Sequence, residues 1–186
     1  MSTAVLVTHS AGPQGPGEGS EPFVARLRDQ LGSEFDVSFP IMPDPEDPHY
    51  EPWSERFGEI LDDSEEPLVV VGHSLGGSVF LKRLAETGDH ESVAGLVLVA
   101  TPLWGRDPEW EREWALPEGW PGPETELPPT FLFHSRDDDV IPFSHLELYA
   151  GLFPEASVHP LEGNGHLFDH GDLSEILDAI RTLSAG

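Results

Sequence analysis

The segment Gly72-His73-Ser74-Leu75-Gly76-Gly77 sets a hydroxyl among small residues in the pattern G-x-S-x-G. With 19 glycines in the chain, the bare pattern arises readily by accident. Its setting is more informative. It follows the apolar run Leu68-Val69-Val70-Val71 and opens the helix-compatible run Ser78 to Leu84. A serine at a sharp strand-to-helix turn takes a strained backbone and needs small neighbours on both sides. Gly72 and Gly76 supply that clearance, and Gly77 lets the helix approach the sheet. The turn lifts the Ser74 hydroxyl above the strand ends, where a helix N-terminus favours developing negative charge. The plainer reading is a glycine-rich turn carrying an idle serine.

A serine hydroxyl is too weakly acidic to attack unaided, so a base must accept its proton. Nine histidines are available. His166 lies in Glu162-Gly163-Asn164-Gly165-His166-Leu167-Phe168, between the last apolar run and the last helical pattern. Glycines there make a loop able to bring an imidazole over the sheet edge. His159 and His170 compete with it, while adjacency at the turn makes His73 diverge from Ser74. An acid to orient the imidazole is offered by three consecutive carboxylates, Asp137, Asp138 and Asp139.

These groups need a frame. Short runs rich in Val, Leu and Phe recur at Ala4–Val7, Phe35–Phe39, Leu68–Val71, Val93–Ala100, Thr130–Phe133 and Ala156–His159. Most are unbroken rather than alternating, the pattern of strands covered on both faces. Between them, Glu21–Leu31 places Phe23, Leu27 and Leu31 at four-residue intervals, with Pro22 suited to a first turn. Leu75–Glu86 and Leu173–Leu183 also read as helices. Alternation of strand and helix predicts a parallel sheet wrapped by right-handed crossovers. Five prolines fall between Pro40 and Pro52, and seven between Pro102 and Pro129. The second stretch also holds Trp104, Trp110, Trp114 and Trp120, so 103–129 reads either as a short lid over a pocket or as a packed structural loop.

Through Gly72 to Gly77, the chain resembles the α/β-hydrolase family. The resemblance implies one α/β domain over residues 1–186: a mostly parallel sheet of about six strands flanked by helices, with no large cap domain. It also implies the chain order nucleophile, acid, histidine, which Ser74, Asp138 and His166 satisfy. Asp138 is preferred because His134 to Pro142 is similar to the family's H-G-x-x-D-x-V-V-P, with Ser135 in place of glycine; Asp139 is the alternative. Gly165-His166-Leu167 resembles the family's last loop. The oxyanion donors implied are the Leu75 N–H and, from Thr8-His9-Ser10-Ala11-Gly12, the Ala11 N–H, with Ser10 as alternative. His9, His73, Trp104 and Trp110 are expected to contact substrate. Motif order and small size resemble the retinoblastoma-binding serine hydrolase and YdeN-like branch. With no cysteine, the L-x-C-x-E segment of the animal relatives is impossible here, so a retinoblastoma-type partner is not expected.

Composition limits the remaining options. The 186 residues suffice for one sizeable core. Zero cysteines exclude disulfides, thiol nucleophiles and thiolate metal sites. A net charge of −26 repels phosphate, so neither nucleic acid nor an anionic membrane is an expected partner. The same acidity reads either as a solubility device or as a surface adapted to high salt, where the Debye length falls to about 3 Å. The first residues lack the basic flank and apolar length of a signal peptide, and no run approaches the roughly 18 residues of a membrane span, so a cytoplasmic setting is expected. Gly12 to Gly19 lacks the lysine of a phosphate loop. The expectation is a hydrolase of small carboxylic esters, thioesters or amides working through an acyl-serine, without metal or cofactor. An acyltransferase with the same triad, or a binding module keeping the fold, are the alternatives. A dehalogenase would need a carboxylate in place of Ser74.

Overall fold

The computed structural model describes residues 2–105, 113–122 and 124–185. Six strands, β1 (Thr3–Thr8), β2 (Phe35–Ser38), β3 (Leu68–His73), β4 (Val93–Val99), β5 (Thr130–Ser135) and β6 (Ser157–Leu161), form one sheet in the order β2-β1-β3-β4-β5-β6. Every neighbouring pair is parallel. Among the described residues, five α-helices accompany them: α1 (Glu21–Leu31), α2 (Tyr50–Asp62), α3 (Ser74–Thr87), α4 (Ser144–Leu152) and α5 (Ser174–Leu183). The sheet, its direction and its strand number are those the apolar runs imply.

Unbroken hydrophobicity in the strands has the expected cause. Alternate residues feed two separate cores. Val5, Val7, Val69, Val71, Val97 and Val99 face α1 and α5. Leu6, Val70, Leu96, Leu98 and Leu132 face α2, α3 and α4. Strand β3 lies in the interior of the sheet and is buried from end to end, so its C-terminus is a rigid platform. Strand β4 stops one residue short of the sequence reading because Ala100 takes a φ of 47°, outside strand geometry. None of the described helices is long and apolar enough to cross a membrane.

Helices α2 and α4 are absent from the sequence reading. Pro52 stands in the first turn of α2, where a missing N–H costs nothing, and Tyr50, Trp53, Phe57 and Leu61 form its buried face. Proline density hides that periodicity. Helix α4 spans nine residues and buries only His145, Leu146 and Tyr149. The described part of the Trp-rich stretch packs on the α2/α3/α4 side. Trp114 is buried, its ring 6.1 Å from that of Trp104, and Trp104 Nε1 donates to Ser78 Oγ on α3 at 3.0 Å. Glu113 accepts from the Tyr50 N–H at 2.7 Å, and Lys82 donates to the Glu113 carbonyl. Trp120 meets Phe153 edge to face. These contacts fasten the described part of the stretch to the helices; Trp110 lies outside the described residues, as does the rest of 106–112.

Candidate active site

Ser74 is the first residue of α3 and has a φ of 51°, the strained geometry foreseen for a serine at this turn. Close packing explains the glycines beside it. A Cβ on Gly72 would lie 2.7 Å from the Gly77 Cα, and one on Gly76 would lie 2.4 Å from the His9 carbonyl oxygen. The Gly76 N–H donates to that same oxygen at 3.0 Å, fastening the start of α3 to the end of β1. Thr101 Oγ1 donates to the Gly72 carbonyl and fixes the turn from the β4 side.

Three residues far apart in sequence meet above β3. His166 Nε2 lies 3.0 Å from Ser74 Oγ, and His166 Nδ1 lies 2.9 Å from Asp138 Oδ2. A carboxylate oxygen only accepts, so the Nδ1 carries the proton and Nε2 turns its lone pair to the serine hydroxyl. Asp138 is the carboxylate in contact. Its Oδ1 accepts from the Val140 and Ile141 N–H groups at 2.9 and 2.8 Å, and its Oδ2 also accepts from His134 Nε2 at 3.1 Å. Burial raises the Asp138 pKa, but hydrogen bonds from His134, His166 and the Ile141 N–H outweigh it and hold the carboxyl below the usual range.

The neighbouring carboxylates have other places. Asp139 is exposed. Asp137 accepts from the Ser135 hydroxyl and from the Gly163 and Gly165 N–H groups, joining the acid loop to the histidine loop. The Ser135 bond is the main cause of its lowered pKa. His159 stacks on Phe133 and pairs with Glu175, and His170 pairs with Asp169, so both competitors are engaged by other partners. Sequence reasoning missed Arg26. From α1 it donates to the carbonyls of Phe168, His170 and Gly171 at 2.6–2.8 Å and clamps the loop that carries His166. An arginine on a helix gives no sign in sequence of a grip on backbone some 140 residues away.

The amides expected to hold an oxyanion differ in what they are bonded to. The Leu75 N–H lies in the first turn of α3, where N–H groups have no helical partner. The Ser10 N–H is taken by Ser20 Oγ at 2.8 Å, and the Gly12 N–H by the Pro45 carbonyl. The Ala11 N–H between them has no partner among the described residues, so of the two expected donors it is the uncommitted amide. Two expected substrate contacts differ from the reading. His73 is wholly buried, with Nδ1 2.7 Å from Ser20 Oγ and Nε2 2.9 Å from the His166 carbonyl oxygen, so neither nitrogen is open to a substrate. His9 is 1 % exposed and stacked on Phe39 at 3.5 Å. Its ring nitrogens have no partner among the described residues, and burial pushes its pKa down to about 4.

The fold has close parallels. The chain is similar to the ydeN gene product of B. subtilis, at 18% identity and a TM-score of 0.71 with both chains covered in full. It is similar to the esterase RhEst1 from Rhodococcus sp. ECU1013, at 15% identity and a TM-score of 0.72, covering 100% of this chain and 91% of that one. Est1E from Butyrivibrio proteoclasticus matches at 14% identity and a TM-score of 0.67, covering 97% and 86%. At such identities the likeness establishes an α/β-hydrolase fold. Full coverage of the ydeN product shows that this small size is shared. No curated protein matches the sequence. The family model described as "Serine hydrolase" matches residues 24–182, which take in strands β2 to β6 and all three residues above β3. The chain belongs to the serine hydrolase family.

Proposed function

We propose that the protein hydrolyses small carboxylic esters, thioesters or amides through an acyl-enzyme on Ser74. The observation that carries this reading is the line of contacts from Ser74 Oγ through His166 to Asp138, at 3.0 and 2.9 Å. His166 Nε2 takes the hydroxyl proton as Ser74 Oγ bonds to the substrate carbonyl carbon, and the carbonyl oxygen becomes an oxyanion held by the Leu75 and Ala11 N–H groups. Collapse breaks the bond to the leaving alcohol, thiol or amine, which receives the proton from His166. Water, deprotonated by His166, then attacks the acyl-serine, and the acid departs as the proton returns to Ser74. Asp138 stays ionised throughout and stabilises the imidazolium.

The neighbour RhEst1 is described as an esterase, which agrees with this choice of bond. The acidic surface favours neutral or cationic substrates. A fluorophosphonate probe tests the nucleophile. Labelling of the wild type and not of Ser74→Ala is expected, in concentrated salt and in dilute buffer. An unlabelled wild type under both conditions would leave a binding module that keeps the fold. A panel of p-nitrophenyl esters of differing charge, with and without added alcohol acceptors, separates hydrolysis from acyl transfer.

A further inference from the structure

Beneath the triad lies a buried polar chain that the proposed chemistry does not use. Ser20 occupies the N-cap position of α1, where serine ordinarily bonds an N–H of the first turn. Here it makes no capping bond, and it is fully buried. Its hydroxyl is turned instead toward His73 Nδ1 at 2.7 Å, while it accepts from the Ser10 N–H at 2.8 Å and lies 3.1 Å from Ser10 Oγ. On the far side of the ring, His73 Nε2 meets the carbonyl oxygen of His166 at 2.9 Å.

Proton counting fixes the direction of this chain. A carbonyl oxygen only accepts, so His73 Nε2 carries the ring proton. Nδ1 is then the acceptor, and the Ser20 hydroxyl must donate to it. With that proton committed, the Ser10 hydroxyl supplies the one between the two serines. Burial lowers the His73 pKa to about 3, which keeps the ring neutral and this tautomer in place at any pH near neutrality.

We propose that Ser20 and His73 are positioning residues that set the loop of the oxyanion donor and the loop of the base by one continuous set of hydrogen bonds. At one end, capture of the Ser10 N–H by Ser20 leaves the next amide, that of Ala11, to face the site. At the other, His73 holds the backbone of His166 itself, with the two imidazoles 5.5 Å apart. The nucleophile is the residue after His73, so the elbow is the middle of the chain. Losing Ser20 orphans a buried N–H and a buried imidazole nitrogen and frees both loops at once.

This inference rests on the reading of Ser74 and His166 as nucleophile and base, which labelling of the wild type checks by itself. With a wild type that labels, Ser20→Ala is expected to lower kcat for p-nitrophenyl acetate about 10- to 100-fold. KM should stay within about twofold, because the lost interaction acts on alignment and not on substrate contact. A wild-type kcat in Ser20→Ala overturns the relay. A second measurement needs no variant and no turnover: long-range ¹H–¹⁵N spectra of the wild type at pH 6 should show His73 neutral and protonated at Nε2. Protonation at Nδ1, or an imidazolium, overturns it whether or not the protein labels.

Discussion

His134 and His166 donate to the same oxygen of Asp138, at 3.1 and 2.9 Å, while the other oxygen takes two backbone N–H groups. The carboxylate is thus also held by a side chain that the proposed triad does not include. His134 Nε2 also lies 3.0 Å from the Ile141 carbonyl, so that nitrogen must be a donor. Replacing His134 with Phe removes one charge-assisted bond. The expected cost is about 1–3 kcal/mol of stability at neutral pH, with kcat down about tenfold as Asp138 loosens. Chemical denaturation and ester kinetics measure both; unchanged values for both would show that the second donor is idle.

The three adjacent carboxylates should separate cleanly under substitution. Asp138→Asn should cost on the order of 10³–10⁴ in kcat, because the imidazole loses the partner that fixes its tautomer. Asp139→Asn, at an exposed position, should leave kcat unchanged and stability within about 0.5 kcal/mol. Asp137→Asn should fall between them, since its carboxylate holds Gly163 and Gly165 beside the histidine loop. A larger loss in Asp139→Asn than in Asp138→Asn would reassign the acid.

Acid should destabilise the protein well above the usual carboxylate range. His9 and His73 are neutral when folded, with pKa values pushed down to about 4 and about 3, whereas the unfolded chain protonates them below about 6.5. Between those limits the unfolded state binds more protons, so stability rises with pH and is lost as pH falls. Each histidine contributes up to about 1.4 kcal/mol per pH unit in its window. Asp138, also lowered, adds to the loss only below its ordinary value near 3.8. Denaturation in molar salt from pH 7 to pH 4 measures the slope, and His9→Phe should remove about one proton from it. An unchanged slope in that variant would mean His9 is not held neutral.

Salt should stabilise the fold strongly. A net charge of −26 on 186 residues repels itself, and the repulsion is screened at molar ionic strength. The melting temperature is expected to climb by about 5 °C or more between 0.1 and 2 M NaCl. A flat or falling curve would mean that the acidic residues are already balanced locally and serve only solubility.

The sheet was legible because each strand is covered on both faces and therefore reads as an unbroken apolar run. The elbow was legible because its backbone admits few residues. Where proline crowds the chain, as before Trp53, a helix with a regular buried face went unread. Which of the Ser10 and Ala11 amides is left uncommitted depends on where the Ser20 hydroxyl turns, a contact between residues ten apart that no spacing rule encodes. The same holds for His73. By type and neighbourhood it resembles a substrate contact, yet its ring is turned inward beneath the site by partners from α1 and the last loop.

The bond from the Gly76 amide to the His9 carbonyl has a consequence for what the site can tolerate. It couples the strand that leads into one proposed oxyanion donor to the helix that bears the other, so the gap between those donors has a fixed gauge before any ligand arrives. Such a socket does not adapt its width to the guest. Differences in reactivity among esters should therefore come from the groups on either side of the carbonyl, while the carbonyl oxygen itself is seated the same way in every one.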